Sequence, residues 1–201
     1  MADKYQNKYR IASARLQNWD YGWNAAYFIT ICTQNRKCYL GDVVETCRDV
    51  KFCVYTEYNV SLSEIGEIAR QYWLGIPRHY PFVQLGEFVV MPNHIHGILI
   101  IDKPDGGRDA IVETQDFASQ PTQPPQNRFG PQSQNISSII RGYKSGVKKY
   151  TTMNKIDFAW QSRFYDHIIR NAESYNKIQN YINNNPINWK DDELYPKCSG
   201  K

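Results

Sequence analysis

The sequence has no long hydrophobic run and no paired-cysteine motif. None of its apolar stretches approaches the about 18 residues that a membrane-spanning helix needs, and the segment MADKYQNKYR at residues 1–10 lacks the apolar core of a signal peptide. The five cysteines are odd in number and form no CxxC pair, which argues against a zinc ribbon and against a disulfide framework. We therefore expect a cytoplasmic protein with reduced thiols and no membrane contact.

The composition is that of a folded domain with many aromatic side chains. A chain of 201 residues that is 41% hydrophobic suits one domain with an ordinary core. Its net charge of +4, fifteen tyrosines and five tryptophans are compatible with nucleic-acid binding without demonstrating it. Residues 103–134 are rich in Gln, Pro, Gly and Ser and have little periodicity. They predict a flexible insertion within a single domain that spans residues 1–201.

Outside this insertion the sequence alternates between strand and helix patterns. Runs of β-branched and aromatic residues predict strands at 25–33, 82–90 and 94–101, two shorter strands within 42–58, and an extended segment at 160–171. Helical spacing predicts a first helix that ends at Pro77 and a last helix that stops near Asn185, because Pro186 disfavours helical geometry in the residue before it. The apolar face of the first helix comprises Leu62, Ile65, Ile68, Ala69, Tyr72 and Trp73.

The segment MPNHIHGILI at residues 91–100 places two histidines one residue apart in a predicted strand. Residues i and i+2 of a strand point to the same face, so His94 and His96 project side by side while Ile95 points into the core. Two neutral imidazoles in this arrangement are suited to bind one metal ion. Histidines that are hydrogen-bonded or solvated on an exposed face are the alternative.

A middle helix after residue 135 combines an apolar and a basic face. The apolar positions are Ile136, Ile139, Ile140, Tyr143, Val147 and Tyr150. Arg141, Lys144 and Lys148 fall together on the other face. A solvated face is the commoner explanation for such a pattern, and phosphate binding by the three cations is the alternative.

The last helix carries a second candidate pair. Tyr181 and Asn185 are four residues apart and therefore neighbours on one helical face. A phenol beside a side-chain amide would place a nucleophile next to a metal ligand. Tyr175 and Gln179 have the same spacing, so the spacing does not choose between the two pairs.

Three motifs in order, VVMPNHIHGILI, WQSRFYDHIIRN and YINNNPINW, resemble the single-tyrosine HUH transposases of insertion sequences, and most closely the REP-associated tyrosine transposases. The resemblance covers most of residues 23–102 and 135–189. It implies an α+β fold, a ferredoxin-like or RRM-like sandwich in which helices pack on an antiparallel sheet. It also implies that His94, His96 and Asn185 are metal ligands and that Tyr181, rather than Tyr175, is the nucleophile.

The chemistry implied by this resemblance is strand transfer in DNA. Tyr181 would attack a phosphodiester of single-stranded DNA beside a hairpin, giving a 5′-phosphotyrosine and a free 3′-hydroxyl. A divalent ion, Mg²⁺ or Mn²⁺, would polarise the phosphate. Arg141, Lys144 and Lys148 are candidates for contacts with the DNA backbone, and some relatives are homodimers. The competing hypothesis is a hairpin DNA- or RNA-binding regulator that derives from such a transposase and has lost catalysis.

Overall fold

The computed structural model describes residue 15 and residues 19–47, 56–104 and 134–196, together with two short strands before them. The strands are β1 (Lys4–Tyr5), β2 (Lys8–Tyr9), β3 (Ala25–Cys32), β4 (Gly41–Cys47), β5 (Thr56–Leu62), β6 (Val83–Val90), β7 (His94–Ile101) and β8 (Tyr165–Ile169). The helices are α1 (Glu64–Leu74), α2 (Ile76–His79), α3 (Ile136–Met153) and α4 (Ala172–Asn184), and short 3₁₀ turns lie at Gln34–Arg36 and Trp189–Asp191. Apart from its ends, the predicted insertion at 103–134 lies outside the described residues.

The central sheet has four antiparallel strands in the order β6-β7-β3-β8. Along the chain these strands alternate with two of the helices as β3-α1-β6-β7-α3-β8, which is the connectivity of the ferredoxin-like fold. The pair β4-β5 forms a separate two-stranded sheet between β3 and α1. The predicted α+β class, an antiparallel sheet with helices packed on it, is confirmed.

Helices cover both faces of this sheet, and the alternation of strand side chains decides which residues meet which helix. One face packs against α1 and α3 and forms the larger core, to which β3 and β7 contribute Ala25, Tyr27, Ile29, Ile31, Ile95, Leu99 and Ile101. The other face packs against α4 through a smaller cluster that comprises Ala26, Ile98, Ile169 and Ile182. His94 and His96 share the alternation of Ile98, so they lie on the α4 face.

The predicted strands at 25–33, 82–90 and 94–101 and the extended segment at 160–171 are confirmed. Of the two short strands predicted within 42–58, the first is confirmed as β4, whereas the second is observed only from Thr56 and the residues at 48–55 lie outside the described ones. The first helix differs from the prediction at both ends. β5 runs on to Leu62, which therefore belongs to a strand and not to the helical face. Ser63 then caps α1 by accepting a hydrogen bond from the Gly66 N–H at 3.1 Å. The helix ends at Leu74 with Gly75 as its C-cap, and Pro77 lies in the first turn of α2 instead of ending α1. Proline is well tolerated in a first turn because its missing N–H would be unpaired there.

A close approach of α1 to β7 depends on glycine. A Cβ atom at Gly97 would lie 2.4 Å from the indole ring of Trp73, which is fully buried. The missing side chain lets the indole pack directly on the strand that carries the two histidines.

In the described part of the chain, no helix combines the length and apolarity needed to cross a membrane.

Candidate active site

His94 and His96 lie side by side on β7 and are buried. In the register with β3, His94 is opposite Cys32 and His96 is opposite Thr30. The centroids of the two imidazole rings are 4.4 Å apart. Their exposed fractions are 0% and 3%, so neither imidazole is a solvated surface group.

The neighbouring Asn93 fixes the tautomer of His94. The Asn93 amide nitrogen donates to the carbonyl of Arg36 at 3.1 Å and to that of Leu194 at 2.8 Å. Its oxygen is therefore the atom that lies 2.8 Å from His94 Nδ1. Because that oxygen only accepts, His94 Nδ1 carries the proton and Nε2 keeps a free lone pair. A hydrogen bond of this kind on the far nitrogen is the usual way in which a ligand histidine is oriented.

His96 is held in a comparable way and contacts the last helix. Its Nδ1 lies 2.8 Å from Thr30 Oγ1, and its Nε2 lies 3.2 Å from the Tyr181 hydroxyl. Burial is the main cause that lowers the pKa of His94 and that of His96 to about 3, and the nearby His94 contributes to the shift of His96. Both imidazoles are therefore neutral near pH 7, which is the form that binds a metal ion.

Helix α4 brings Tyr181 and Asn185 to these histidines. The helix ends at Asn184 as expected, yet Asn185 keeps helical dihedral angles (φ −60°, ψ −41°) although Pro186 follows it. The i, i+4 relation of the two side chains is thereby preserved. Tyr181 is 46% exposed and Asn185 is 1% exposed. Tyr175, the alternative tyrosine, packs instead beside the apolar cluster around Ile182.

The environment of Tyr181 favours the protonated phenol. Burial, followed by the negative charge of Asp192, raises the pKa of Tyr181 to about 12, and a hydrogen bond with Asn185 opposes the shift. The phenol is therefore neutral at physiological pH, and it must lose its proton before or during a nucleophilic attack.

Asp192 is a member of this cluster that the sequence did not indicate. Its Oδ2 accepts a hydrogen bond from Asn185 Nδ2 at 2.9 Å, and its Oδ1 accepts one from the Leu194 N–H at 2.6 Å. Ligand atoms of His94, His96 and Asp192 all lie within 4.8 Å of one another. The one available signal is a run of acidic residues shortly after the last predicted helix, and such runs are usually solvated.

The atoms that point into this cluster fit a divalent cation. His94 Nε2 and Asn185 Oδ1 are buried and have no hydrogen-bond partner among the described residues. The Asn185 side chain raises the pKa of His94 against the effect of burial, so the two side chains are neighbours. Two buried acceptors without a hydrogen-bond donor are unfavourable, and a cation bound to both would remove that cost. Two imidazole nitrogens with an amide or carboxylate oxygen are accepted by Mn²⁺ and, less readily, by Mg²⁺.

The cluster lies at one end of an open cleft of about 760 Å³. Its walls combine aromatic and charged side chains, which include Phe28, Arg36, Arg163, Tyr165, Tyr181 and Glu193. The exposed part of the Tyr181 ring is therefore accessible from the cleft, which His96, Asn185 and Asp192 also line.

The predicted basic face lies apart from this cluster. Arg141, Lys144 and Lys148 are on α3, which packs on the opposite face of the sheet. Lys144 Nζ donates to the backbone carbonyls of Gln161 and Arg163, and Lys148 Nζ donates to that of Phe158 at 2.6 Å. Lys144 thus lies against the backbone of two residues, Gln161 and Arg163, whose side chains line the cleft. Their contact with DNA stays a prediction.

The fold is shared with a known class of transposase. The chain is similar to the structure of a REP-associated tyrosine transposase bound to a REP hairpin, with a TM-score of 0.52 and 18% sequence identity over 89% of this chain and 74% of that chain. At this identity the similarity establishes a common fold.

A sequence relative places the chain in a family. No protein-family model matches the sequence. Over 185 residues the chain is 37% identical to an uncharacterized protein of Haemophilus influenzae, and the match covers 91% of this chain and 92% of that protein. The chain belongs to the same family as that protein.

Proposed function

We propose that this protein is a metal-dependent transesterase that cuts and rejoins single-stranded DNA beside a hairpin, with Tyr181 as the nucleophile. The observation that carries the proposal is the position of the Tyr181 hydroxyl, 3.2 Å from His96 Nε2. It stands at the edge of a buried set of acceptor atoms that fits a cation. A half-exposed phenol at this position combines access to substrate with closeness to the candidate metal ligands.

The residues of the proposed site have distinct roles. His94, His96 and Asn185 would hold the ion, and Asp192 would either complete the ligand set or orient Asn185 through their 2.9 Å hydrogen bond. A bound Mg²⁺ or Mn²⁺ would polarise the scissile phosphate and offset the charge that develops on it. Burial keeps both imidazoles neutral, so no proton has to leave them before the ion binds.

The reaction exchanges one phosphate ester for another. The Tyr181 oxygen forms a bond to phosphorus, the bond from phosphorus to the 3′ oxygen breaks, and that oxygen takes up a proton. The phenol proton leaves to the water of the open cleft. The products are a 5′-phosphotyrosine on Tyr181 and a DNA 3′-hydroxyl. Because the number of ester bonds is unchanged, the reverse reaction rejoins the strands without ATP.

The proposed substrate class rests on the fold and on the cleft. The structural neighbour is bound to a REP hairpin, and the cleft of this chain offers arginines and aromatic rings, which suit an unpaired nucleic-acid strand. In this chain Tyr181 meets its own His96, so we propose that one subunit supplies the whole site. A homodimer, expected from some relatives, stays a prediction.

The test is covalent capture. The full-length protein is incubated with a pool of labelled single-stranded DNA hairpins and Mn²⁺ or Mg²⁺, and products are separated on a denaturing gel and mapped by mass spectrometry. We expect an adduct on Tyr181 that requires the metal and that is absent in Tyr181→Phe and His94→Ala. Tyr175→Phe is the matched control, because it removes the same hydroxyl from the same helix, and it should form the adduct normally.

Two other outcomes would contradict the proposal. An adduct that persists in Tyr181→Phe would assign the nucleophile to another residue. Stable hairpin binding without an adduct on any DNA in the pool, with either metal, would favour the non-catalytic DNA- or RNA-binding regulator.

A further inference from the structure

We propose that β8 and the residues just before it form a binding track for the unpaired strand, in which Tyr165 stacks on one base and Arg163 and His167 flank it. The inference rests on the proposed function for the identity of the strand as DNA. It concerns a different part of the cleft, outside the candidate metal ligands and the nucleophile.

Exposure to solvent alternates from residue to residue along this segment. Arg163, Tyr165 and His167 are exposed, whereas the intervening Phe164 and Asp166 are half-buried. Tyr165 and His167 are two apart on β8, so their side chains point to one side and are separated by about 6.8 Å, and Arg163 precedes the strand. This spacing is comparable to that of successive nucleotides in an extended single strand. β8 is also an edge strand of the central sheet, so one side of it is open to a ligand.

The Tyr165 ring lies at the cleft. It is 53% exposed and lines the same cleft as Tyr181. Its ring packs edge-on against Phe28 with the centroids 6.4 Å apart, and Phe28 stacks on His96 at 5.3 Å. Two ring contacts therefore connect the exposed phenol to a candidate metal ligand. A base stacked on Tyr165 would lie close to the proposed scissile phosphate.

This segment is held firmly from the side opposite its exposed side chains. Arg15 binds Asp166 Oδ1 through two nitrogens, at 3.0 and 2.9 Å, and lies over the ring of Phe164. Lys144 donates to the Arg163 carbonyl at 3.3 Å. Fixing the inward-facing groups orders the outward-facing ones. A base that stacks on an ordered ring loses less affinity to the ordering of the protein.

The exposed groups are chemically suited to bind a single strand. An aromatic face accepts any base, and a neighbouring guanidinium suits a phosphate, which is the combination found in sequence-tolerant binding of single strands. An exposed tyrosine ring outside the cleft lacks this setting. Tyr72, for example, is 39% exposed but lies on α1, across the sheet from the cleft.

The experiment measures binding without cleavage. Tyr181→Phe protein in EDTA is titrated with a single-stranded oligonucleotide of mixed sequence in which one adenine at a time is replaced by 2-aminopurine. Stacking on an aromatic ring quenches that fluorophore. Tyr165→Ala, Tyr165→Phe and Arg163→Ala are added to this background, and Tyr72→Ala is the matched control. The melting temperature of each variant verifies that it is folded.

We expect Tyr165→Ala to weaken binding by about tenfold and to abolish quenching at one oligonucleotide position. Tyr165→Phe should retain both, because the ring face is unchanged. Arg163→Ala should lower the salt dependence of binding by about one phosphate contact. The proposal is overturned if Tyr165→Ala binds and quenches like Tyr165→Phe, or if Tyr72→Ala weakens binding equally.

The two proposals fail separately. Covalent adduct formation at Tyr181 together with normal binding by Tyr165→Ala would refute the β8 track and leave the transesterase intact. Loss of quenching in Tyr165→Ala without any adduct would support the track while refuting the chemistry.

Discussion

Acid should destabilise this protein through the two buried histidines. Their folded-state pKa is depressed from 6.5 to about 3 by burial. A depressed folded pKa means that the unfolded chain binds protons first, so stability is present above pH 6.5 and is lost as the pH falls toward 3. Between pH 7 and pH 5, each of these histidines should lower the free energy of unfolding by about 2 kcal/mol. For the pair, the expected loss is about 4 kcal/mol, a large part of the total for a domain of this size.

The assay is urea unfolding at pH 7 and pH 5, followed by tryptophan fluorescence in EDTA so that no metal contributes. His94→Gln and His96→Gln should each be less stable at pH 7, yet each should lose about 2 kcal/mol less than the parent between the two pH values. His79→Gln is the matched control, since His79 is exposed on α2, and it should behave like the parent. Carboxylates that titrate in this range are common to all variants and cancel in the comparison. If both buried-site variants kept the pH dependence of the parent, the reasoning would be refuted.

Three further predictions address the site and the packing beneath it. Mixing Tyr181→Phe with His96→Ala should not restore adduct formation, because the two groups meet within one chain at 3.2 Å; restored activity on the denaturing gel would show that the tyrosine acts on a partner's histidines. Asp192→Asn should weaken Mn²⁺ binding by about 10- to 100-fold in a calorimetric titration, and an unchanged affinity would remove Asp192 from the metal environment. Gly97→Ala should lower the free energy of unfolding by about 1 to 3 kcal/mol, because its Cβ would lie 2.4 Å from the Trp73 ring; an unchanged urea midpoint would contradict this close packing.

The strands near the site were predictable because their side chains alternate. The period of two in β7 predicted that His94 and His96 share a face, and the structure places both on the α4 face. Tyr181 and Asn185 share a helical face for a similar reason, since the helical spacing of four relates them. Pro186 was expected to move Asn185 out of helical geometry, and it does not. Local patterns of this kind depend on a few neighbouring residues.

Other features were set by contacts between distant parts of the chain. Asp192 lies in an irregular segment after α4 and reaches the site through hydrogen bonds to Asn185 and Leu194. No periodicity marks such a residue. The prediction that α1 ends at Pro77 is wrong, because Gly75 caps the helix first and the proline fits the first turn of the next one.

The side-chain amide of Asn93 keeps His94 available as a metal ligand, whereas a carboxylate at this position would hold His94 in an ion pair. The Asn93 amide nitrogen donates to the carbonyls of Arg36 and Leu194, and the amide oxygen accepts from His94 Nδ1. The three contacts together therefore need both a donor and an acceptor. Aspartate has the same shape but only acceptors. It would face both carbonyls with negative charge, and it would stabilise the doubly protonated imidazole, which has no lone pair for a cation. The identity of Asn93, which is not among the candidate metal ligands, thus determines whether His94 is available to bind a cation.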